Sequence, residues 1–277
     1  MQEQNNLFER YDIESFAQGH QPPHFSLASL SALENTEDTH FWSKVKRFLV
    51  LLLIRTFRPS RPFDLMDIGC GNGSLLRTIQ AKFPDAQCMG MDAYLEALIA
   101  TRLRAPAARL FFHDIAGPAF PKQAFLDVIT ILDVLEHLDH PERTVESMRT
   151  MLRETGIVIA SVPASRRLWS DRDRFLGHRK RYSKRDLRDL FEEHGFEILQ
   201  CNYCYSYLWL PVFLFRKVLS RWTKTPGQEI EQKELRHIPF VNALLAWFGM
   251  LEAWLSLSFP IPFGTSIYCV ARRKQVP

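Results

Sequence analysis

Phe63-Asp64-Leu65-Met66-Asp67-Ile68-Gly69-Cys70-Gly71-Asn72-Gly73 decides how the rest of this chain is read. The apolar run from Phe63 to Ile68 has the composition of a buried strand, and it breaks into three glycines at alternate positions. A helical pattern, Ser74-Leu75-Leu76-Arg77-Thr78-Ile79, follows at once. Strand, glycine turn and helix start, in that order, let a ligand lie against bare backbone. A second strand, Gln87-Cys88-Met89-Gly90-Met91, ends in Asp92, an acid placed to accept hydrogen bonds from the hydroxyls of a ribose. Together they point to a nucleoside-bearing ligand.

Outward from this stretch, strands and helices alternate. A helix is expected from near Thr39 to Arg55, with Phe41, Val45, Phe48, Leu49 and Leu52 at helical spacing, ended by Pro59 and Pro62. Strands are expected at Phe63–Ile68, Ala86–Met91, Arg109–Phe112, Leu126–Leu132, Gly156–Val162, Phe196–Tyr203 and Thr265–Ala271. Helices are expected at Ser74–Lys82, Tyr94–Arg104, Pro141–Arg153 and Lys184–His194, the last capped by Ser183 with Asp186 three residues on. The strands are continuous apolar runs, as required when helices cover both sheet faces. The expected fold is α/β: a doubly wound, Rossmann-like sheet of seven mostly parallel strands. Residues 1–38 read as a loose lead-in and 39–274 as one domain. The domain opens with a helical lid and carries a helical insertion, 205–263, before its last strand.

The bulk composition narrows the function. The chain has 277 residues, 46% hydrophobic and 24% charged, an ordinary globular balance rather than a disordered one. A net charge of +4, with no stacking aromatics interleaved among the cations, does not suggest nucleic acid. Five cysteines at scattered spacings fit reduced thiols in the cytoplasm. Cys201-Asn202-Tyr203-Cys204 lacks a second pair or nearby histidines, so no metal is expected from it. The polar start Met1-Gln2-Glu3-Gln4-Asn5-Asn6 is unlike a secretory signal.

The turn itself selects the ligand. In the dinucleotide fingerprint the third glycine comes one residue later, and no carboxylate precedes the first by two. Here Asp67 does, which suits a cationic group and would repel a pyrophosphate. A positive group at the turn and a ribose at Asp92 describe S-adenosylmethionine.

With these motifs in order, the chain resembles the class I S-adenosylmethionine-dependent methyltransferases of the small-molecule type 11 or type 12 group, over about Thr39 to Lys274. The resemblance implies that Gly69, Cys70, Gly71 and Gly73 form the donor turn. It sets Ala93 and Tyr94 beside the adenine and Asp114, in His113-Asp114-Ile115, on its exocyclic amine. Leu132 and Asp133, in the motif Asp127-Val-Ile-Thr-Ile-Leu-Asp-Val-Leu-Glu-His-Leu, would line the methionine end. Gly156-Ile-Val-Ile-Ala-Ser-Val-Pro resembles the fifth-strand motif. His40-Phe41-Trp42 resembles the start of a lid helix, with Lys46 where related bacterial enzymes carry an arginine for the cofactor carboxylate; a helix that simply covers the sheet is the other reading. The product would be S-adenosylhomocysteine.

Methyl transfer from a sulfonium asks the protein to align, desolvate and, for a hydroxyl acceptor, remove a proton. His137 follows the fourth predicted β-strand of the motif series and is one candidate, against a purely local packing role. The stretch from Trp169 to Tyr182 is the other, and its end resembles the Gly-His-x-Arg-Arg-Tyr signature of the same bacterial subgroup. It offers Asp173, His178 and Tyr182 for catalysis and Trp169, Arg179 and Arg181 for the substrate. Between Arg166 and Arg188 there are ten Arg or Lys against three Asp. That balance suits an anionic acceptor, small or lipid-linked, or else a solvated basic face.

Two apolar stretches, Tyr207–Leu219 and Ile238–Phe263, flank a polar segment at Thr223–Arg236. Their prolines and charges argue against a membrane span. A lid over the substrate, docking on a membrane surface through tryptophans with Arg216, Lys217, Arg221 and Lys224, and a dimer contact are the three readings. The expectation is a cytoplasmic enzyme, monomer or homodimer, with possible membrane association. A non-enzymatic protein of the same fold, binding a partner or membrane surface, is the alternative.

Overall fold

A computed structural model describes residues 2–15, 38–58, 62–219 and 238–275. The expected segment at Thr223–Arg236, with Arg221 and Lys224, lies outside these residues, as does Pro59. The strands are β1 Ile13–Ser15, β2 Phe63–Ile68, β3 Ala86–Asp92, β4 Arg109–Phe112, β5 Leu126–Leu132, β6 Leu152–Pro163, β7 Phe196–Cys204 and β8 Ser266–Arg273. The helices are α1 Gln2–Arg10, α2 Phe41–Phe57, α3 Ser74–Lys82, α4 Leu95–Arg104, α5 Pro141–Met151, α6 Asp171–Phe175, α7 Lys184–Glu193, α8 Trp209–Leu214 and α9 Pro239–Leu255.

The sheet runs β1-β4-β3-β2-β5-β6-β8-β7. All pairs from β1 to β6 are parallel, and β8 is antiparallel to both β6 and β7. The doubly wound architecture is as expected, with eight strands rather than seven. The extra strand comes from the lead-in, where Ile13 sits opposite Leu110. Three residues with a single buried side chain carry no readable period, which is why the sequence hides it. Arg102 clamps this edge, donating from Nε to the Tyr11 carbonyl at 2.8 Å and from Nη2 to that of Asp12 at 2.7 Å.

Alternate strand residues feed two separate cores, as period 2 demands. Leu65, Leu110, Val128 and Ile159 pack under α2, α3, α4 and α9. Met66, Ile68, Phe111, Ile129 and Val158 pack under α5 and α7. Ser183 and Asp186 form the capping box of α7: the Ser183 hydroxyl accepts from Asp186 N at 3.1 Å, and Ser183 N donates to Asp186 Oδ2 at 2.8 Å.

Helix α9, within the stretch 205–263 expected as an insertion, lies on α2. Its buried residues are Asn242, Ala246, Gly249 and Ala253, while Phe240, Leu244, Trp247, Leu251 and Trp254 are exposed. The small face turns inward, so the two backbones approach closely. Asn242 Oδ1 accepts from Phe41 N at 2.6 Å and Nδ2 donates to the Thr39 carbonyl at 2.9 Å, serving the start of α2 from outside it. A Cβ on Gly249 would meet Val45 Cγ2 and the Tyr207 hydroxyl, both at 2.6 Å. In a free helix, Gly to Ala gains about 1 kcal/mol. Here the sign should reverse: Gly249→Ala is expected to lose about 1–3 kcal/mol through overpacking, read by urea unfolding.

Candidate active site

Parallel strands end together, so the loops after β2, β3, β5 and β6 share one edge of the sheet. The turn after β2 holds Gly69, Gly71 and Gly73 at φ of +73°, +54° and +76°. At Gly73 a Cβ would strike the Thr101 backbone at 2.9 Å, whereas at Gly71 it would meet open space. Gly71 thus leaves bare backbone facing outward, beside the Asp92 carboxylate that accepts its N–H at 2.9 Å. The other Asp92 oxygen accepts from Tyr94 N at 3.0 Å. Burial outweighs these backbone donors and pushes the Asp92 pKa up to about 6. Cys70 Sγ lies 3.7 Å from the Thr101 hydroxyl, and Thr101 donates to the Gly71 carbonyl at 2.8 Å, tying the turn to α4.

Asp67 is buried and its Oδ1 accepts from the Thr130 hydroxyl at 2.6 Å. Asp114 Oδ1 accepts from Ala116 N at 2.9 Å, with Ile115 in the core beside it. At the end of β5, past Leu132, Asp133 turns at φ +54° and takes the Ser161 hydroxyl at 2.9 Å together with the Lys46 ammonium. Burial pushes the Asp133 carboxyl up, but the Lys46 charge and hydrogen bonds outweigh it and hold it below its ordinary value. Trp42 stacks on Tyr205, ring centroids 4.3 Å apart, and the Tyr205 hydroxyl donates to the Trp42 carbonyl at 2.9 Å. Helix α2 therefore reaches the site at two points. Ala93 sits between Asp92 and Tyr94 on the same rim.

Beyond β5, His137 and His178 meet edge to face with centroids 4.8 Å apart. Burial and the neighbouring His178 push the His137 pKa down to about 4. Glu136 beside it is 1% exposed, and burial with the nearby Asp133 pushes its carboxyl well up. His178 Nδ1 lies 3.1 Å from Asp173 Oδ1, and Arg181 Nε donates to that same oxygen at 2.7 Å. Asp173 Oδ2 accepts from Ser170 N at 2.9 Å, with Arg216 Nη1 at 3.7 Å.

The basic loop thus divides. Arg181 is 4% exposed and also donates to the Ala164 carbonyl at 2.9 Å, so its charge is neutralised inside the protein. Tyr182 is fully buried, its hydroxyl donating to the Leu135 carbonyl at 3.1 Å. Asp173 is fully buried as well. Asp173 and Arg181 are enclosed by their own partners, while Tyr182, though buried, lines the groove described next. Arg179 is exposed and pairs with Asp139 at 2.9 Å, and the Trp169 carbonyl accepts from Lys217 Nζ at 2.5 Å. The exposed Arg166 and Arg167 line a groove with Trp209, Tyr203 and Phe263.

A family model described as a methyltransferase domain matches residues 41–201, more than half of the chain. The chain belongs to that family. Methyltransferases of this family use S-adenosylmethionine as methyl donor, and the bare Gly71 backbone beside Asp92 fits a nucleoside there. A ubiquinone biosynthesis O-methyltransferase of Glaesserella parasuis serovar 5 is 30% identical over 105 residues, 35% of this chain and 44% of its own length. The chain spans less than half the length of this curated relative. Two solved structures share the fold. Phosphoethanolamine N-methyltransferase 2 of Haemonchus contortus, in complex with S-adenosyl-L-methionine, has a TM-score of 0.58 at 15% identity, covering 92% of this chain and 59% of that one. The N-methyltransferase NodS of Bradyrhizobium japonicum, in complex with S-adenosyl-L-homocysteine, has a TM-score of 0.53 at 12% identity, covering 89% and 98%.

Four residues of this methyltransferase site escape sequence reasoning. Thr130 and Ser161 serve Asp67 and Asp133 from mid-strand, where hydroxyls carry no motif. Tyr205 lies far along the chain from Trp42. Glu136 had a signal, its place directly before His137, but nothing local announces its burial. Removing one partner of a buried ion pair strands the other, at a cost of about 3–5 kcal/mol. Arg181→Ala is therefore expected to lose stability on that scale in urea unfolding, before any effect on turnover is considered.

Proposed function

We propose that this methyltransferase moves the methyl group of S-adenosylmethionine to an oxygen or nitrogen of a small or lipid-linked, anionic acceptor. The observation that carries the reading is that one sheet edge holds both halves of such a reaction. The glycine turn and Asp92 follow β2 and β3, while His137, His178 and the groove with Arg166 and Arg167 follow β5 and β6. When bound, S-adenosylmethionine supplies an electrophilic methyl on a cationic sulfur. The chain's task is then to hold and align.

Asp92 accepts the ribose hydroxyls, and Asp114, with Ala93 and Tyr94, takes the adenine. Asp67 and Asp133 suit the ammonium of the methionine end, and Lys46 its carboxylate, with Trp42 covering that end from α2. On the acceptor side, the exposed Arg166 and Arg167 favour an anion, and the apolar walls of Trp209 and Phe263 suit an organic body. His137 and His178 share the sheet edge with the donor half and face each other there. Asp173 and Arg181 are positioning residues behind His178. The O-methylating relative supports oxygen as the acceptor atom.

A second feature refines the acceptor class. Phe240, Trp247, Trp254, Phe259 and Phe263 are exposed on and after α9, and no described helix is long and apolar enough to cross a membrane. Such a surface suits lying on a lipid interface, from which a lipid-linked acceptor would enter. Wild type should then co-sediment with phosphatidylglycerol vesicles, and the double variant Trp247→Ser, Trp254→Ser should lose most of that binding.

The donor assignment is tested by calorimetry. Asp92→Ala is expected to abolish measurable binding of S-adenosylmethionine. Ribose hydroxyls need the ionised carboxylate, which exists above pH of about 6. Affinity should therefore hold above pH 6 and fall roughly tenfold per unit below it, and Asp92→Asn should flatten that slope. Full affinity in Asp92→Ala would overturn the assignment.

A further inference from the structure

Glu136, His137 and His178 come from two loops, one after β5 and one after α6, and converge. Each offers one ligand-type atom, and these three atoms lie within 4.8 Å of one another. We propose that this cluster binds a divalent transition-metal ion of the zinc or ferrous kind, held by one carboxylate and two imidazoles, with positions left open for an oxygen ligand.

Burial points the same way independently. Glu136 is 1% exposed, yet neither of its carboxylate oxygens has a hydrogen-bond partner among the described residues. A buried carboxylate without partners is costly, and native proteins place such groups where something supplies the missing contacts. His178 has the outer contact that metal-bound histidines use to fix their tautomer. His178 Nδ1 faces Asp173 Oδ1 at 3.1 Å, which leaves Nε2 as the lone-pair nitrogen. Asp173 is itself fixed by Arg181 and Ser170, so the His178 ring is set by a rigid frame rather than by a mobile loop.

The dimensions are close to what an ion requires. With bonds of about 2.1 Å, ligand atoms around a tetrahedral ion stand about 3.4 Å apart. Shifts of about 0.8 Å per ligand atom, within side-chain freedom, bring atoms 4.8 Å apart to that spacing around a bound ion. The donor set also discriminates. Two imidazoles and one carboxylate suit zinc, iron, cobalt or manganese, whereas magnesium and calcium prefer oxygen alone. The buried cysteines lie elsewhere, on β3, β7 and β8 and in the glycine turn. If the chain methylates an acceptor hydroxyl, an ion here would hold that oxygen and ease loss of its proton to water. That use rests on the proposed function; the site itself does not.

The test is direct metal binding by the full chain, stripped with chelator and titrated with Co2+ while visible absorption is followed. One equivalent should bind at micromolar affinity or tighter, giving the visible bands of a nitrogen–oxygen site, and Zn2+ should displace it. Glu136→Gln and His178→Gln should each weaken binding at least about 100-fold, and Asp173→Asn, one shell out, by about 10–100-fold. Thermal unfolding of each variant shows whether it is folded, and His137→Gln stands in for one that is not. No stoichiometric Co2+ spectrum, or equal affinity in wild type and the folded Glu136→Gln, would sink the site. Calorimetry with S-adenosylmethionine on the same samples separates the two readings: metal bound without cofactor binding overturns the methyltransferase assignment alone, and cofactor bound without metal overturns the site alone.

Discussion

The carboxylate of Asp173 organises the loops that follow β6 at the sheet edge. It is fully buried, yet it caps α6 through Ser170, accepts from Arg181, faces His178 and stands near Arg216. Burial alone would raise its pKa, but the His178 hydrogen bond and the two guanidinium charges hold it well below the usual carboxylate range. Taking a carboxylate out of water costs several kcal/mol, and only a full complement of donors offsets it. The loop after β6, the short helix α6 and the turn after α8 are therefore bound to one another through a single charge. Without it, His178 would have no fixed orientation toward His137, and Arg181 and Arg216 would lose their shared counter-charge in the interior.

This cluster also explains what sequence could and could not disclose. The strands were legible because each is an unbroken apolar run between turn residues: β2, β4 and β5 fall on the expected bounds. The donor turn was legible because its chemistry is local, with Asp67, three glycines and Asp92 each meaningful by position. The acceptor side was not. Arg181 and Tyr182 stand beside Arg179 and Lys180, and linear sequence does not say which of four neighbouring polar side chains points inward. Their burial depends on Asp173 and on the Ala164 and Leu135 carbonyls, contacts made only after folding. Glu136 shows the same limit, since its isolation is a property of the surroundings and not of the Leu-Glu-His triplet.

Helix α9 adds a second lesson about faces. An amphipathic helix ordinarily buries its large apolar residues. Here Ala246, Gly249 and Ala253 are buried and Trp247, Leu251 and Trp254 are left outside, because α2 comes too close for anything larger. The hydrophobic pattern was visible in the sequence, but its inward side was the small one. A helix held by its small face is free to present its large face to something else, and Asn242 fixes its rotation by bonding to the start of α2. The orientation of the exposed tryptophans is thus set by the same contact that positions Trp42.

Helix α2 is in turn the link between the donor and acceptor halves. It reaches β5 through Lys46 and Asp133, and the end of β7 through Trp42 and Tyr205. The Lys46–Asp133 pair is partly open to solvent, with side chains 25% and 32% exposed. Ion pairs of that exposure contribute only about 0–1 kcal/mol. Under the proposed function, a zwitterionic ligand end would displace such a pair at little cost, its ammonium meeting Asp133 and its carboxylate Lys46. The buried Asp173 cluster has no such freedom. Helix α2 is thus tied to the sheet edge by a weak, partly exposed pair, whereas the His178 imidazole is held by the buried Asp173 cluster.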